Sequence, residues 1–170
     1  MNNVTLIGMP GSGKSTIGVI LAKALRYEFL DSDLLIQKQE KRKLSEIIEQ
    51  DGPEKFKEIE NQVNAEHSCD RYGHCTGGSV IYCDEAMEHL KSIGKVIYLK
   101  LSLESLSKRL GNLKGRGVLL KDGQSLKDLY EERVPLYEKY ADITIDEEGK
   151  DLDESLRAIL EIIHIKEQGK

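Results

Sequence analysis

The feature that most constrains this chain is a glycine-rich segment close to its start. Residues 8–15 are GMPGSGKS and fit the pattern G-x-x-x-x-G-K-[S/T]. An apolar run at residues 4–7 precedes it, and Ile17, Ile20 and Leu21 follow at helical spacing. This context predicts a buried strand that turns sharply into a helix. Backbone N–H groups and a helix N-terminus then converge on one anion, so we predict a phosphate cradle.

Within this cradle, each residue type suits part of a nucleoside triphosphate. Lys14 supplies a positive charge for the β- and γ-phosphates, and Ser15 offers an oxygen to Mg²⁺. We therefore predict ATP and Mg²⁺ as ligands. The predicted nucleotide-binding residues in this segment are Gly11, Ser12, Gly13, Lys14, Ser15 and Thr16.

Strand-like runs and helical periodicity alternate along the rest of the chain. Short segments that we interpret as strands lie near residues 28–30, 74–76, 95–99 and 143–145. This alternation predicts an α/β domain with a mostly parallel sheet that is covered on both faces. We find no internal repeat or linker, so residues 1–170 are expected to form a single domain.

Three helix ends are predicted from their local chemistry. Pro53 suits the first turn of a helix, and Gly94 suits the position after a helix end. Asp151 and Glu154 have the spacing of a capping box that opens the last helix.

Acidic and glycine residues follow two of the predicted strands. Asp31 and Asp33 come just after the second strand, and Gly77 and Gly78 just after the third. Ligands of open α/β sheets bind at the carboxyl ends of the strands, so these residues are expected to meet the phosphate cradle. The chain has no clear strand of four apolar residues that ends in Asp, the usual source of a second magnesium ligand. Asp31 and Asp33 are the natural substitutes for that ligand. The alternative is helix capping, with Asp33 as N-cap.

Three basic residues are candidates for anion binding. Arg133 lies on the apolar stripe of a helix, where it needs either an internal acid or a ligand anion as partner. Lys57, one turn from Glu60, fits a solvated ion pair. Arg116 lies in the weakly periodic segment 111–124, and a mobile loop beside a phosphate cradle can contribute an arginine to the transferring phosphoryl group.

The composition argues against several other classes of protein. The 25 basic and 30 acidic residues leave a net charge of −5, and there are no Trp and only two Phe. General binding of nucleic acid or of anionic membranes is therefore not expected. No apolar run has the length of about 18–20 residues that a membrane span needs, and the N-terminus does not fit a secretory signal.

The cysteines fit a reducing compartment. Three cysteines without a CxxC pair argue against a disulfide framework, so we expect a cytoplasmic location. His67, Cys69, His74 and Cys75 are close together, but their spacing matches none of the usual zinc patterns. Ordinary buried or edge positions are the favoured interpretation.

Five segments together resemble one known family. They are GMPGSGKST at 8–16, FLDSD at 29–33, GPEKFKEIE at 52–60, CTGGSV at 75–80 and ERVPLYEKYAD at 132–142. From about residue 3 to about residue 160 the chain is similar to the shikimate kinases, in the nucleoside-monophosphate-kinase-like P-loop group. The resemblance implies a three-layer P-loop kinase fold with strand order 2-3-1-4-5, a lid at about 111–124 and a substrate-binding helical region at about 33–62. It also implies a monomer that transfers the γ-phosphate of MgATP to the 3-hydroxyl of shikimate.

The resemblance further implies roles for individual residues. Lys14, Asp33 and Arg116 would be catalytic, with Asp33 as the base. Ser15 and Asp31 would hold Mg²⁺, and Arg109 would stack on adenine. The implied substrate-binding residues are Asp33, Lys57, Gly77, Gly78 and Arg133, with Arg133 on the substrate carboxylate.

The chain departs from the family pattern in three places. Lys57 stands where the family has an arginine, Thr76 stands in the run of three glycines, and the lid has Arg116-Gly117-Val118 where the family has R-P-L. Two alternatives therefore stay open. One is a kinase of the same fold that acts on another hydroxy acid, on gluconate or on a nucleotide, and the other is a nucleotide-binding protein without kinase activity.

Overall fold

The computed structural model describes residues 3–66, 70–110, 118–121 and 123–168, with side chains up to residue 163. Strands and helices alternate through most of this range, as expected. The strands are β1 (Asn3–Ile7), β2 (Glu28–Asp31), β3 (Tyr72–Cys75), β4 (Gly94–Lys100) and β5 (Ile143–Asp146). The helices are α1 (Lys14–Leu25), α2 (Ser32–Glu40), α3 (Leu44–Glu66), α4 (Asp84–Ile93), α5 (Leu103–Arg109), α6 (Leu126–Tyr140) and α7 (Leu152–Gln168), with a short 3₁₀ turn at Val80–Tyr82.

The five strands form one parallel sheet in the order β2-β3-β1-β4-β5. This confirms the expected fold class and strand order. All five residues of β1 are buried, because this strand lies in the middle of the sheet and has helices over both faces. The sheet therefore brings the carboxyl ends of β1, β2 and β3 to one edge.

Alternate residues of the central strands supply two separate cores. Val96 and Tyr98 of β4 pack into a cluster with α4, α5 and α6, whereas Ile97 and Leu99 pack into a cluster with α1 and α7. A third cluster joins α2 and α3 to Leu119. This third cluster connects α2 and α3 to a residue within the predicted lid at 111–124.

Two of the predicted helix ends are confirmed. The helix α3 is broken at Gly52, which has a φ of 85°, and Pro53 then begins the second helical segment. Asp151 and Glu154 exchange backbone-to-side-chain hydrogen bonds of 2.9 and 2.8 Å, as a capping box requires.

The position predicted for Gly94 is confirmed, because α4 ends at the preceding residue and Gly94 follows as its C-cap. The left-handed conformation that a glycine often adopts there is absent: its φ of −171° is extended, and Gly94 also begins β4. The glycine is needed because a Cβ here would lie 2.3 Å from the carbonyl oxygen of Asn3. β3 begins at Tyr72, two residues before the predicted start, and a Cβ on its Gly73 would lie 2.9 Å from the Ala22 side chain of α1.

In the part of the chain that the structure describes, no helix is both long enough and apolar enough to cross a membrane.

Candidate active site

The loop between β1 and α1 forms an open cradle at the carboxyl edge of the sheet. Gly8, Gly11 and Gly13 have φ values of 150°, 80° and 93°, a region that L-residues rarely adopt. Gly13 is the N-cap of α1 and provides no side-chain acceptor for the first N–H groups of the helix. These donors are thus available to an anion, as the sequence pattern predicts.

Lys14 is held inside this loop. Its Nζ donates to the carbonyl oxygens of Gly8 and Met9 at 2.8 and 3.0 Å. Burial lowers the pKa of Lys14 to about 8, although Asp33 opposes the shift. An ammonium group has three protons, so one remains for a phosphate oxygen, and a phosphate would favour the charged form.

Ser15 and Asp31 form the oxygen pair expected at a magnesium site. The Ser15 hydroxyl donates to Asp31 Oδ2 at 2.8 Å. Oδ1 of Asp31 accepts from the backbone N–H groups of Asp33 and Leu34, so Asp31, and not Asp33, is the N-cap of α2. Hydroxyl and carboxylate oxygens are hard ligands that suit Mg²⁺, and the donor set present here fits that ion.

A cleft of about 510 Å³ opens beside the cradle. Lys14 and Asp33 line it together, and residues 118 and 119 at the end of the predicted lid complete its wall. Burial raises the pKa of the half-buried Asp33 to about 6, and the neighbouring Asp31 adds to the shift. The other predicted site residues that line the cleft are Gly11, Gly13, Ser15, Thr16, Gly77, Gly78 and Arg133.

Gly77 and Gly78 lie where three side chains approach the backbone closely. A Cβ at Gly77 would lie 2.3 Å from Glu60 Oε1 and 2.7 Å from Asp33 Oδ1. A Cβ at Gly78 would lie 2.9 Å from Arg133 Nη1. A side chain at either glycine would therefore displace the end of the Glu60, Asp33 or Arg133 side chain.

Arg133 is 1% exposed and reaches the cleft from α6. Its Nη2 donates to the carbonyl oxygen of Leu119 at 2.9 Å, and its Nε donates to the Tyr82 hydroxyl at 3.3 Å. No salt bridge between Arg133 and an acid is found among the described residues. Of the two partners considered for this inward charge, the arrangement favours a ligand anion.

Two predicted basic residues lie away from the cleft, and a third lies outside the described residues. Lys57 forms a 3.0 Å ion pair with Glu54 and not with Glu60, so the expected partner is wrong. It lines a smaller pocket of about 220 Å³ that shares Leu119 with the cleft. Arg109 ends α5, and the following Leu110 packs against Gly11 of the cradle. Arg116, the predicted lid arginine, is the one that lies outside the described residues.

Four residues that the sequence analysis did not assign complete the site. Glu60 is fully buried; its Oε2 accepts a 2.6 Å hydrogen bond from Ser79, and burial raises its pKa to about 7. Its Oε1 has no hydrogen-bond partner among the described residues. Tyr137 donates to the Gly78 carbonyl at 2.5 Å, and Tyr82 contacts Arg133.

Two of these four residues had a signal in the sequence. Glu60 stands one turn after Phe56 on the buried face of α3, and Tyr137 stands one turn after Arg133 on the same stripe of α6. The roles of Ser79 and Tyr82 depend on contacts with other elements, and no local pattern marks them.

The cysteines and histidines near β3 have structural partners. The Cys75 thiol donates to the Lys14 carbonyl, and His74 is hydrogen-bonded to Ser32 at 2.6 Å. His67 and Cys69 lie outside the described residues. Among the described ones, no group of three or more His, Cys, Asp or Glu side chains could hold a metal ion.

Comparison with known proteins assigns this site to a family. A family model described as "Shikimate kinase" matches residues 10–164, which include most of the cradle, the helical region and α6. The chain belongs to the shikimate kinase family. The family resemblance noted in the sequence is thereby confirmed.

Relatives in the shikimate kinase family match along nearly the whole chain. A shikimate kinase of Thermodesulfovibrio yellowstonii is 34% identical over 173 residues, which cover 100% of this chain and 99% of the relative. A solved shikimate kinase of Acinetobacter baumannii in complex with shikimate is 33% identical with a TM-score of 0.90, covering 98% of this chain and 94% of that one. The crystal structure of the Aquifex aeolicus shikimate kinase is 31% identical with a TM-score of 0.83, covering 99% of each chain.

More distant structures share only the architecture. A gluconokinase of Sinorhizobium meliloti is 17% identical with a TM-score of 0.52, covering 97% of each chain. At that identity the match shows a common fold and gives no support to gluconate as the acceptor.

Proposed function

We propose that this protein is an ATP-dependent kinase that transfers the γ-phosphate of ATP to the 3-hydroxyl of shikimate. The observation that supports this most directly is one cleft lined by Lys14, Asp33 and Arg133. A phosphate-binding cation, a carboxylate of raised pKa and an arginine for a carboxylate are the groups that such a transfer needs. The Acinetobacter baumannii relative, whose structure contains shikimate, supports the same acceptor.

The nucleotide end of the cleft is built by the cradle. Lys14 and the N–H groups at the start of α1 would bind the β- and γ-phosphates, and Ser15 with Asp31 would hold Mg²⁺. When bound, this ion would neutralise phosphate charge. The role of Arg109 at adenine and that of Arg116 at the transferring phosphoryl group remain predictions. The same applies to closure of a lid at residues 111–124.

At the acceptor end, Asp33 would act as the base and Arg133 as the group that binds the substrate anion. Asp33 would accept the proton of the attacking hydroxyl, because its raised pKa of about 6 leaves it ionised near neutral pH yet basic enough to take a proton. Arg133 would bind the substrate carboxylate with its planar guanidinium. Gly77 and Gly78 would let the ring approach the backbone between these two groups.

Lys57 does not line the cleft, so we assign binding of the substrate carboxylate to Arg133 alone. We also expect the protein to act as a monomer in the cytoplasm, on a small hydroxy acid and without nucleic acid or membrane partners. These points rest on the composition and on the family resemblance.

A coupled assay of ADP release across several acceptors tests the proposal. The expected result is that shikimate accelerates ADP release at least a hundredfold over buffer, and that gluconate and nucleoside monophosphates do not. A Lys14→Ala variant is the control for contaminating kinases and should show no turnover. Equal ADP release with and without shikimate would contradict the proposal, and turnover on gluconate alone would identify a different acceptor.

A further inference from the structure

Tyr82 lies in the 3₁₀ turn that follows the two glycines of the cleft. Its ring lies close to two cationic side chains that come from different helices. The guanidinium carbon of Arg133 lies 5.3 Å from the ring centroid, and the ammonium of Lys57 lies 5.7 Å from it. At these distances both cations interact favourably with the ring.

The Tyr82 hydroxyl fixes the edge of the Arg133 guanidinium. It accepts from Arg133 Nε at 3.3 Å and donates to Glu132 Oε1 at 2.7 Å. Glu132 is itself fixed, because its Oε2 accepts from Lys121 and Gln124 at 3.0 and 2.9 Å. The hydroxyl therefore has a defined orientation: its O–H bond points to Glu132, and a lone pair of its oxygen faces Arg133.

These contacts determine which nitrogen of Arg133 faces the acceptor. Nε is bonded to Tyr82 and Nη2 to the Leu119 carbonyl. The remaining nitrogen, Nη1, lies 2.9 Å from the position that a Gly78 Cβ would take, on the floor of the cleft. Without the Tyr82 hydroxyl, the guanidinium would lose its bond at Nε and could turn about its long axis.

We propose that Tyr82 is a positioning residue that orients Arg133 for a carboxylate and so sets the preference of this enzyme for acidic acceptors. The inference rests on the proposed function, in which Arg133 binds the acceptor carboxylate. Lys57 does not line the cleft and forms its ion pair with Glu54, so Arg133 is the cation assigned to the carboxylate.

Tyr82→Phe tests this role, since it removes the hydroxyl and keeps the ring. Kinetics are measured with shikimate and with its uncharged methyl ester. The expected result is a five- to twentyfold rise in KM for the acid, with KM for the ester and for ATP changed less than twofold. The matched control is Tyr130→Phe, at a position on the same helix as Arg133. This variant loses the hydrogen bond from the Tyr130 hydroxyl to the Leu101 carbonyl and should leave all three values unchanged.

A double-variant cycle separates positioning from a structural effect. In an Arg133→Lys background, Tyr82→Phe should add less than a twofold change to KM for the acid, because the group that it positions is gone. Equal losses for acid and ester, or additive losses in the double variant, would overturn the proposal.

A second readout does not depend on the acceptor. Tyr82→Phe should speed exchange of the Arg133 Nε proton with water at least tenfold in ¹H–¹⁵N spectra, with the signal assigned by its absence in Arg133→Lys. Unchanged exchange would overturn the positioning role even if shikimate were not the acceptor. Failure of the wild type to phosphorylate shikimate would instead contradict the proposed function.

Discussion

At the scale of single residues, the site and its surroundings contain ionisable groups whose pKa values are shifted by burial. Lys14 has a pKa lowered to about 8, and Asp33 and Glu60 have pKa values raised to about 6 and 7. In each case desolvation is the largest cause, because a charged group loses the solvation of water when it is buried. Lys14 and Asp33 line the same cleft, and perturbed groups that share a cleft are typical of catalytic sites.

Asp33→Asn should lower kcat at least a hundredfold, the usual size of a general-base contribution. The amide cannot accept the hydroxyl proton, yet the cradle is untouched, so the affinity for ATP should change less than threefold by calorimetry. Asp153→Asn, at an exposed position in α7, is the matched control. A near wild-type rate for Asp33→Asn would show that the assignment of the base is wrong.

Glu60 should make stability depend on pH. Because the folded state retains a proton that the unfolded chain releases near pH 4.5, the free energy of unfolding should fall as the pH rises from about 4.5 to about 7. The full difference corresponds to about 3 kcal/mol. Glu60→Gln keeps an acceptor for the Ser79 hydroxyl and removes the titration, so this part of the pH dependence should vanish.

Urea unfolding of the ligand-free protein at pH 5 and pH 7.5 measures this effect. The free energy of unfolding of the variant is subtracted from that of the wild type at each pH. The difference isolates the contribution of Glu60, because Asp33 titrates in both proteins. Identical pH dependence in the two proteins would show that Glu60 is ionised throughout the range.

At the scale of elements, the site depends on which strands are neighbours. The carboxyl ends of β1, β2 and β3 lie side by side because β3 is inserted between the first two strands of the chain. This arrangement brings Asp31 against Ser15 and places Gly77 against Asp33. The helix α6 then adds Arg133 from the other side of the cleft.

Gly94→Ala should lower the free energy of unfolding by at least about 2 kcal/mol, the range of a substitution that forces packed backbone apart. The reason is that a Cβ would lie 2.3 Å from the Asn3 carbonyl oxygen, and the two central strands β1 and β4 would have to separate. Lys95→Ala, at the exposed next position, is the control and should cost less than about 1 kcal/mol. Chemical denaturation measures both, and a Gly94→Ala variant as stable as the wild type would contradict the explanation of this glycine.

The helices α3 and α6 should contribute unequally to acceptor binding. Arg133→Ala should raise KM for shikimate by about a hundredfold, as expected when one partner of a buried charged pair is lost. Lys57→Ala should raise it less than fivefold, because Lys57 is paired with Glu54 outside the cleft. Equal effects of the two substitutions would mean that Lys57 enters the cleft when the acceptor binds, and Lys57→Arg would then be expected to lower KM.

At the scale of the whole molecule, a net charge of −5 surrounds a locally cationic cleft. Lys14 and Arg133 both line this cleft, so anionic ligands bind inside a protein whose average charge repels them. The net charge is thus informative about bulk partners such as nucleic acid and says little about the site itself.

Local patterns were sufficient for much of this arrangement. The cradle could be predicted because its glycines, lysine and serine act together within eight residues, and the alternation of strands and helices predicted a parallel sheet. The inward position of Arg133 followed from its place on the apolar stripe of α6.

Contacts between distant segments account for what the sequence did not reveal. The sequence placed Gly94 at a helix end but did not show that it also begins β4, because the approach of Asn3, 91 positions away, leaves no local mark. Lys57 was paired with Glu60 because both have helical spacing, but Glu60 faces the buried side and bonds to Ser79. The role of Tyr82 depends on Arg133 of a different helix.

The most direct test of the central claim is to follow the γ-phosphate of ATP by ³¹P NMR in the presence of shikimate. We predict one phosphate monoester, formed in equal amount to ADP and coupled to the ring proton at carbon 3 of shikimate. Formation of inorganic phosphate alone, with no monoester, would contradict the assignment of this cleft to phosphoryl transfer onto a shikimate hydroxyl.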